Sequence, residues 1–342
     1  MQKLDIQEAL LQKVEAALPE NEKLVDVIMD LLNVSMDAAY RRMKGKVALT
    51  IFETQILLDA FDLSLGNLGS YKKDKIIFDY KPLSRINFNF ESYITGLRDS
   101  LSEIKTLKSP ELFISINETP VFQLFNFPHL TRFKFFFWAK SYLQIPEYIN
   151  AKFKREKIDK QVLSIGIEAH NIYMSMPSTE LYCSETLKGI LKQIEYYYDS
   201  GVFEDPEYAI ELLDNVSSLA KHISHQAEVG HKFVFGNEPN SAEQTKFKMF
   251  MIDTYLPDNT YYVKHENGAL TYFSHNIMNF IMTQNPDYNS DTKMILDRLI
   301  DNSNQISETG IKERAKFFNA MEKAIDQLRK KIRFSIQLND AE

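Results

Sequence analysis

Cysteine is almost absent from this chain: Cys183 is the only one in 342 residues. An internal disulfide framework is therefore excluded. Glycine and proline are sparse, at 11 each, which excludes collagen-like and proline-rich classes. No run of about 18 apolar residues occurs, so no membrane-spanning helix is expected. The opening segment, MQKLDIQEALLQKVEAAL, interleaves charged and apolar side chains and lacks the continuous apolar stretch of a signal peptide. Basic residues are in deficit, with 40 Lys and Arg against 47 Asp and Glu and a net charge of −7. Whole-chain charge thus gives no ground for nucleic-acid binding. Only a local patch could, because phosphates feel the field within about 10 Å at ordinary salt. Together these absences lead us to expect a cytoplasmic protein.

What is present is the composition of a folded chain, 44% apolar and 25% charged. Phenylalanine (24) and tyrosine (17) are plentiful, so at least one core should be aromatic. The expected class is mainly α: a five-helix N-terminal module, then a larger helix-rich α+β region with a small antiparallel meander. The expected boundaries are 1–70 for the module, 71–87 for a linker and 88–342 for the larger region.

The N-terminal module reads as short helices separated by breakers. Leu10, Val14 and Leu18 recur at a spacing of four in the first. Pro19 and Asn21 end it. A second helix should run from about Lys23 to Leu32, and Ser35 should cap a third that stops near Lys44–Gly45. Thr50 with Glu53 forms a capping-box pattern before a fourth. Ser64 should cap a short fifth helix containing Leu65 and Leu68.

Beyond the linker, helices are expected at about 88–107, 146–174 (whole or broken near Lys157), 179–200, 206–228, 290–303 and 308–333. The interval 112–116 is β-like. The runs 247–254, 261–265 and 269–273 are expected to form a three-stranded antiparallel meander, because Asn267-Gly268 is a strong hairpin signal. The aromatic segment 120–140 should lie in the larger core, although it could line a ligand pocket.

The informative segment is Leu24–Gly45, LVDVIMDLLNVSMDAAYRRMKG. A short helix, a tight turn and a second short helix form a helix-turn-helix pattern. Leu24, Ile28, Leu31 and Leu32 give the first helix a buried stripe, and Val34 would plug the turn. Ala38 or Ala39 would allow a close crossing, and Met43 would anchor the far end. On the second helix, Asp37, Tyr40, Arg41 and Lys44 share one face, with Met36 beside it. Residues 41–46 hold Arg41, Arg42, Lys44 and Lys46 and no acid, although residues 1–68 carry 7 basic against 11 acidic side chains. The module is therefore acidic with one basic edge.

LLNVSMDAAYRRMKG followed by LTIFE resembles the lambda-repressor-like (Xre/Cro) family of DNA-binding domains. The resemblance covers about a fifth of the chain. It implies that the helix from Met36 to Lys44 lies in the major groove of double-stranded DNA. Arg41 is then the foremost base reader, since its rigid fork suits guanine O6 and N7. Met36 and Tyr40 would meet a thymine methyl or a sugar, and Arg42 and Lys46 phosphates. Ser35 stands at a helix start, where backbone amides can hold a phosphate.

The expected function is a sequence-specific transcriptional regulator with a C-terminal part that senses an unknown effector or dimerises. Pairing engages two half-sites at once, so a homodimer is expected. The stripe Ile311, Ala315, Phe318, Met321, Ala324, Ile325 and Leu328 would either make that contact or cover the core. One alternative is an interaction scaffold whose N-terminal module docks protein. Another is a metal-dependent enzyme using His222, His225, Glu228 and His231. That spacing matches no strong zinc motif, so solvated or capping histidines are the expectation. No cofactor, bound metal or catalytic residue is expected.

Overall fold

The computed structural model describes residues 6–19, 22–61, 63, 76–83, 88–154, 159–237, 245–256, 258–276 and 278–339. The chain divides into two units, Met1–Phe78 and Asp79–Glu342. It is mainly helical, with an N-terminal helical stretch and a larger mixed α+β region built on an open sheet.

In the first unit the chain forms α1 (Ile6–Ala16), α2 (Leu24–Leu32), α3 (Met36–Met43) and α4 (Ile51–Ala60). Each boundary has a local cause. Asn33 takes a left-handed conformation (φ 49°), which closes α2. Asparagine tolerates that region better than most residues. The Ser35 side chain accepts a hydrogen bond from the Ala38 amide, and Gly45 (φ 65°) follows the end of α3. At α4 the Thr50–Glu53 capping box is complete. The helices close over Leu10, Leu11, Val14, Leu24, Val25, Ile28, Ala39, Leu57 and Leu58, all buried. Val34 and Met43 pack at its edge, as the sequence pattern anticipates. The fifth helix, expected from Ser64, lies outside the described residues.

The second unit begins at β1 (Asp79–Tyr80) and continues through α5 (Phe90–Thr106) and β2 (Glu111–Ile116). Next come α6 (Val121–Leu124), α7 (Pro128–Phe137), a π-helical turn at Trp138–Tyr142, α8 (Pro146–Ile149) and α9 (Lys160–Met174). β3 (Ser178–Cys183), α10 (Gly189–Asp199), α11 (Glu207–Val229), β4 (His231–Lys232) and β5 (Thr245–Ile252) follow. The chain then forms β6 (Thr260–His265), β7 (Gly268–His275), β8 (Asn279–Thr283), α12 (Pro286–Asp301), β9 (Asn304–Gln305) and α13 (Ile311–Asn339).

Among the described residues the sheet runs β1-β8-β7-β6-β2-β3-β5-β4, with β9 also on β5. β2, β3 and β5 are mutually parallel, and every other pairing is antiparallel. Alternation sorts their side chains between two faces. Tyr182, Met249 and Met251 enter the main core with α5, α9, α11 and α13. Leu181, Cys183 and Ile252 face the other way, towards Leu299 of α12.

Two expectations change. Residues 179–183 form β3 rather than a helix start. The strand is buried along its whole length, so it shows no alternation to read. The meander is β6-β7-β8, and residues 247–252 belong to the parallel part of the sheet. Of the two uses weighed for the α13 stripe, covering the core is the one seen for Phe318, Met321, Ile325 and Leu328, while Ile311 and Ala315 are exposed. No described helix is long and apolar enough to cross a membrane.

Gly310 marks the tightest backbone approach. A Cβ there would lie 2.1 Å from the Gln305 carbonyl oxygen. Gly310→Ala must therefore displace the start of α13, and a loss of about 2–3 kcal/mol is expected from such overpacking. Denaturant unfolding of the variant should show an earlier midpoint. An unchanged midpoint would contradict this packing.

Candidate nucleic-acid interface

α3 buries one side and exposes the other. Ala39 is fully buried against the core of the first unit, and Met43 is half-buried. Ser35, Met36, Asp37, Tyr40, Arg41 and Lys44 are all exposed, as is Lys46 in the following loop. The structure therefore gathers seven of the eight expected residues on one outer surface. That surface carries three cations and one carboxylate.

Arg42 is the eighth, and it points elsewhere. Its Nη2 donates to Glu53 Oε1 at 2.7 Å, its Nε donates to the same oxygen at 3.1 Å, and its Nη1 donates to the Ala38 carbonyl at 3.2 Å. Both charged side chains are only 15% exposed. Arg42 lies three residues after buried Ala39, so helical spacing turns it towards the core edge. A phosphate contact by Arg42 would compete with this internal tie. The Arg42 guanidinium, followed by the Thr50 cap, holds the Glu53 carboxyl below its usual range despite partial desolvation.

Gln7 was not singled out by the sequence pattern. Its Nε2 donates to the carbonyls of Arg42 (2.8 Å) and Val47 (2.9 Å), and its Oε1 accepts from the Leu49 amide (2.8 Å). A side chain from α1 thus pins the loop that carries Lys46. No local signal marks such a residue, because the partners lie 35 to 42 positions away. α4 adds a different surface: Ile51 and Phe52 are 75% and 79% exposed, and Ile56 is exposed as well.

The second unit holds its polar chemistry inside. Glu180 is fully buried on β3. It accepts hydrogen bonds from Tyr173, from Ser178 at 2.8 Å and from Tyr182 at 3.2 Å. Lys232 lies 3.8 Å from it and donates to the carbonyls of Tyr173 and Met176. Desolvation lowers the Lys232 ammonium to about 8, against the pull of Glu180. With every member enclosed, the group pins β3, α9 and β4 together.

The four residues weighed as metal ligands are not brought to one point. His222 is buried with its Nε2 3.1 Å from Gln226 Nε2, whereas His225 and Glu228 are exposed. Among the described residues no group of three or more His, Cys, Asp or Glu side chains could hold a metal. His170 is fully buried too, with Nδ1 2.8 Å from the Phe122 carbonyl. Burial lowers both imidazoles to about 4, helped by Lys232 at His170 and by His170 at His222. No family model, curated protein or solved structure matches this chain.

The two histidines make the second unit acid-sensitive. Their folded values lie below the ordinary 6.5, so the unfolded chain takes up protons first. Their contribution to stability is full above pH 6.5, falls between 6.5 and about 4, and is lost below that. Each imidazole contributes a loss of about 3 kcal/mol across that window. Denaturant unfolding from pH 7 to 4 should show this slope, and His222→Gln should reduce it by about half. An unchanged slope in the variant would contradict the assignment.

Proposed function

We propose that the first unit is a sequence-specific DNA-reading module of the helix-turn-helix type, within a dimeric transcriptional regulator that acts in the cytoplasm. The observation that carries this reading is the two-sidedness of α3. Its inner face is fixed by Ala39, and its outer face presents Met36, Asp37, Tyr40, Arg41 and Lys44 together. The pattern resembles the Xre/Cro family, whose five-helix module is taken here as the full form of the unit. α3 is then the helix that enters the major groove.

In this reading Arg41 recognises guanine, because a fork of paired donors matches O6 and N7. Tyr40 and Met36 pack on a thymine methyl or a sugar edge. Lys44 and Lys46 neutralise phosphates, and Ser35 places the first amides of α3 near another. Arg42 does not touch the duplex; with Gln7 it fixes the angle at which α3 and its loop are offered. The acidic remainder of residues 1–68 discourages other orientations. The second unit senses an effector or pairs two chains. Since most of the α13 stripe covers the core, pairing draws on another surface.

A protein-docking module is the competing reading, and exposed Ile51, Phe52 and Ile56 on α4 favour it. Selection of bound duplexes from a randomised pool separates the two. The DNA-reading account expects an enriched sequence with repeated half-sites. On that sequence Arg41→Ala should cost about 1–3 kcal/mol and relax one base position. Lys46→Ala should weaken all duplexes alike and reduce the salt slope by about one per module. No enrichment at low salt, or an Arg41→Ala variant with unchanged preference, would overturn the account.

A further inference from the structure

The helical layer of the second unit contains an open groove of about 530 Å³ beside the π-helical turn. That volume is of the order found in small-molecule sites. Two irregularities meet there. The turn Trp138–Tyr142 closes with a hydrogen bond from the Leu143 amide to the Trp138 carbonyl, one residue wider than an α-helix. Gln144, two residues past the turn, is in a left-handed conformation at φ 50°. Together they end the helix that begins as α7, a place where a left-handed residue is common, and they shape one wall of the groove.

The lining is aromatic and hydroxylic. Phe137, Tyr142, Tyr196 and Tyr197 supply four rings. Phe137 meets Tyr142 edge-on at 5.5 Å between centroids and lies 5.0 Å from Tyr197. Tyr196 stands 61% exposed at the mouth, although rings of that size are usually partly covered. Ser141 Oγ and the Tyr197 hydroxyl are 2.9 Å apart, and Ser200 adds a third hydroxyl to the lining.

Charge decides what such a groove can hold. No carboxylate lines it, and Glu118, whose charge reaches Tyr142, is itself paired with Lys134, so an organic cation finds no free counter-ion there. Its one cation, Lys140, directs its ammonium to the carbonyls of Tyr148, Ile149 and Ala151. An ammonium has three donors and no acceptor, so those three bonds exhaust it. An anion therefore finds no free donor from Lys140. What remains are ring faces for stacking and hydroxyls that both donate and accept.

We propose that this groove binds a small, uncharged, planar aromatic molecule, stacked on Tyr196 and Tyr142 and hydrogen-bonded by Ser141, Tyr197 or Ser200. The site goes beyond the DNA-reading assignment, and its test contains no DNA, so either can fail without the other.

Three size-matched sets of bicyclic aromatic fragments are screened against the full chain by ligand-observed NMR. One set is uncharged (indole- and quinoline-carboxamides), one carries carboxylates and one carries amines. Binding constants for the hits are then measured by calorimetry. The expected result is binding concentrated in the uncharged set, with dissociation constants of about 1 mM or better. Tyr196→Ala and Ser200→Trp each alter an exposed residue, one removing a stacking face and the other filling the mouth. Each should weaken the uncharged hits at least about tenfold, a difference of about 1.4 kcal/mol. Three results overturn the proposal: no hit in the uncharged set, equal binding by charged fragments, or hits unaffected by both substitutions.

Discussion

The Arg42–Glu53 ion pair joins the end of α3 to the start of α4, with both side chains 15% exposed. Much of the first unit depends on this contact. Glu53 also accepts from the Thr50 amide, so one carboxylate serves the cap and the ion pair together. The Ala38 carbonyl receives the remaining guanidinium arm. Removing either partner would leave a charge unpaired at the rim of a small core, where stability reserves are slight. The tie also sorts the basic cluster. One of its four cations is turned inward, which leaves Arg41, Lys44 and Lys46 as the outward set beside Tyr40.

The second unit rests on a related constraint. Strands β2, β3 and β5 run parallel, and β3 between the other two is buried along its whole length, so any polar group on it must find a partner inside. Glu180 meets this requirement through Tyr173, Ser178 and Tyr182, with Lys232 beside it. His170 and His222, on helices packed against the sheet, are depressed by burial instead, which ties the stability of the unit to pH. By contrast, the π-turn runs from buried Trp138 and Ala139 out to exposed Tyr142, with exposed Gln144 beyond it. That placement distinguishes the groove from the enclosed polar groups, which hold elements together.

The first unit was legible because its signals are local. Ser35, Thr50 with Glu53, and Gly45 mark helix ends within a few residues, and the apolar spacing of α2 identifies its buried face. The outer face of α3 followed from the same periodicity. Arg42 escaped because its partner is eleven residues away across a turn, and Gln7 because its partners, at the end of α3 and in the loop after it, lie 35 to 42 positions away. In the second unit β3 was hidden by its own burial: Ser-Thr-Glu-Leu-Tyr-Cys carries no alternation when both faces are covered. β5 and the meander were confused because β-rich composition identifies a strand without naming its neighbour. The groove was not legible at all, since the widened turn arises from packing that no spacing rule encodes.

The central claim is that the outer face of α3 is the surface that meets a duplex. Hydrogen exchange of the full chain, with and without a saturating 30-base-pair duplex at about 50 mM salt, tests this directly, since low salt strengthens phosphate contacts of any sequence. The account predicts slowed exchange confined, within the first unit, to residues 36–47. Unchanged exchange in 36–47 at saturation, or slowing confined to 51–60, would contradict it.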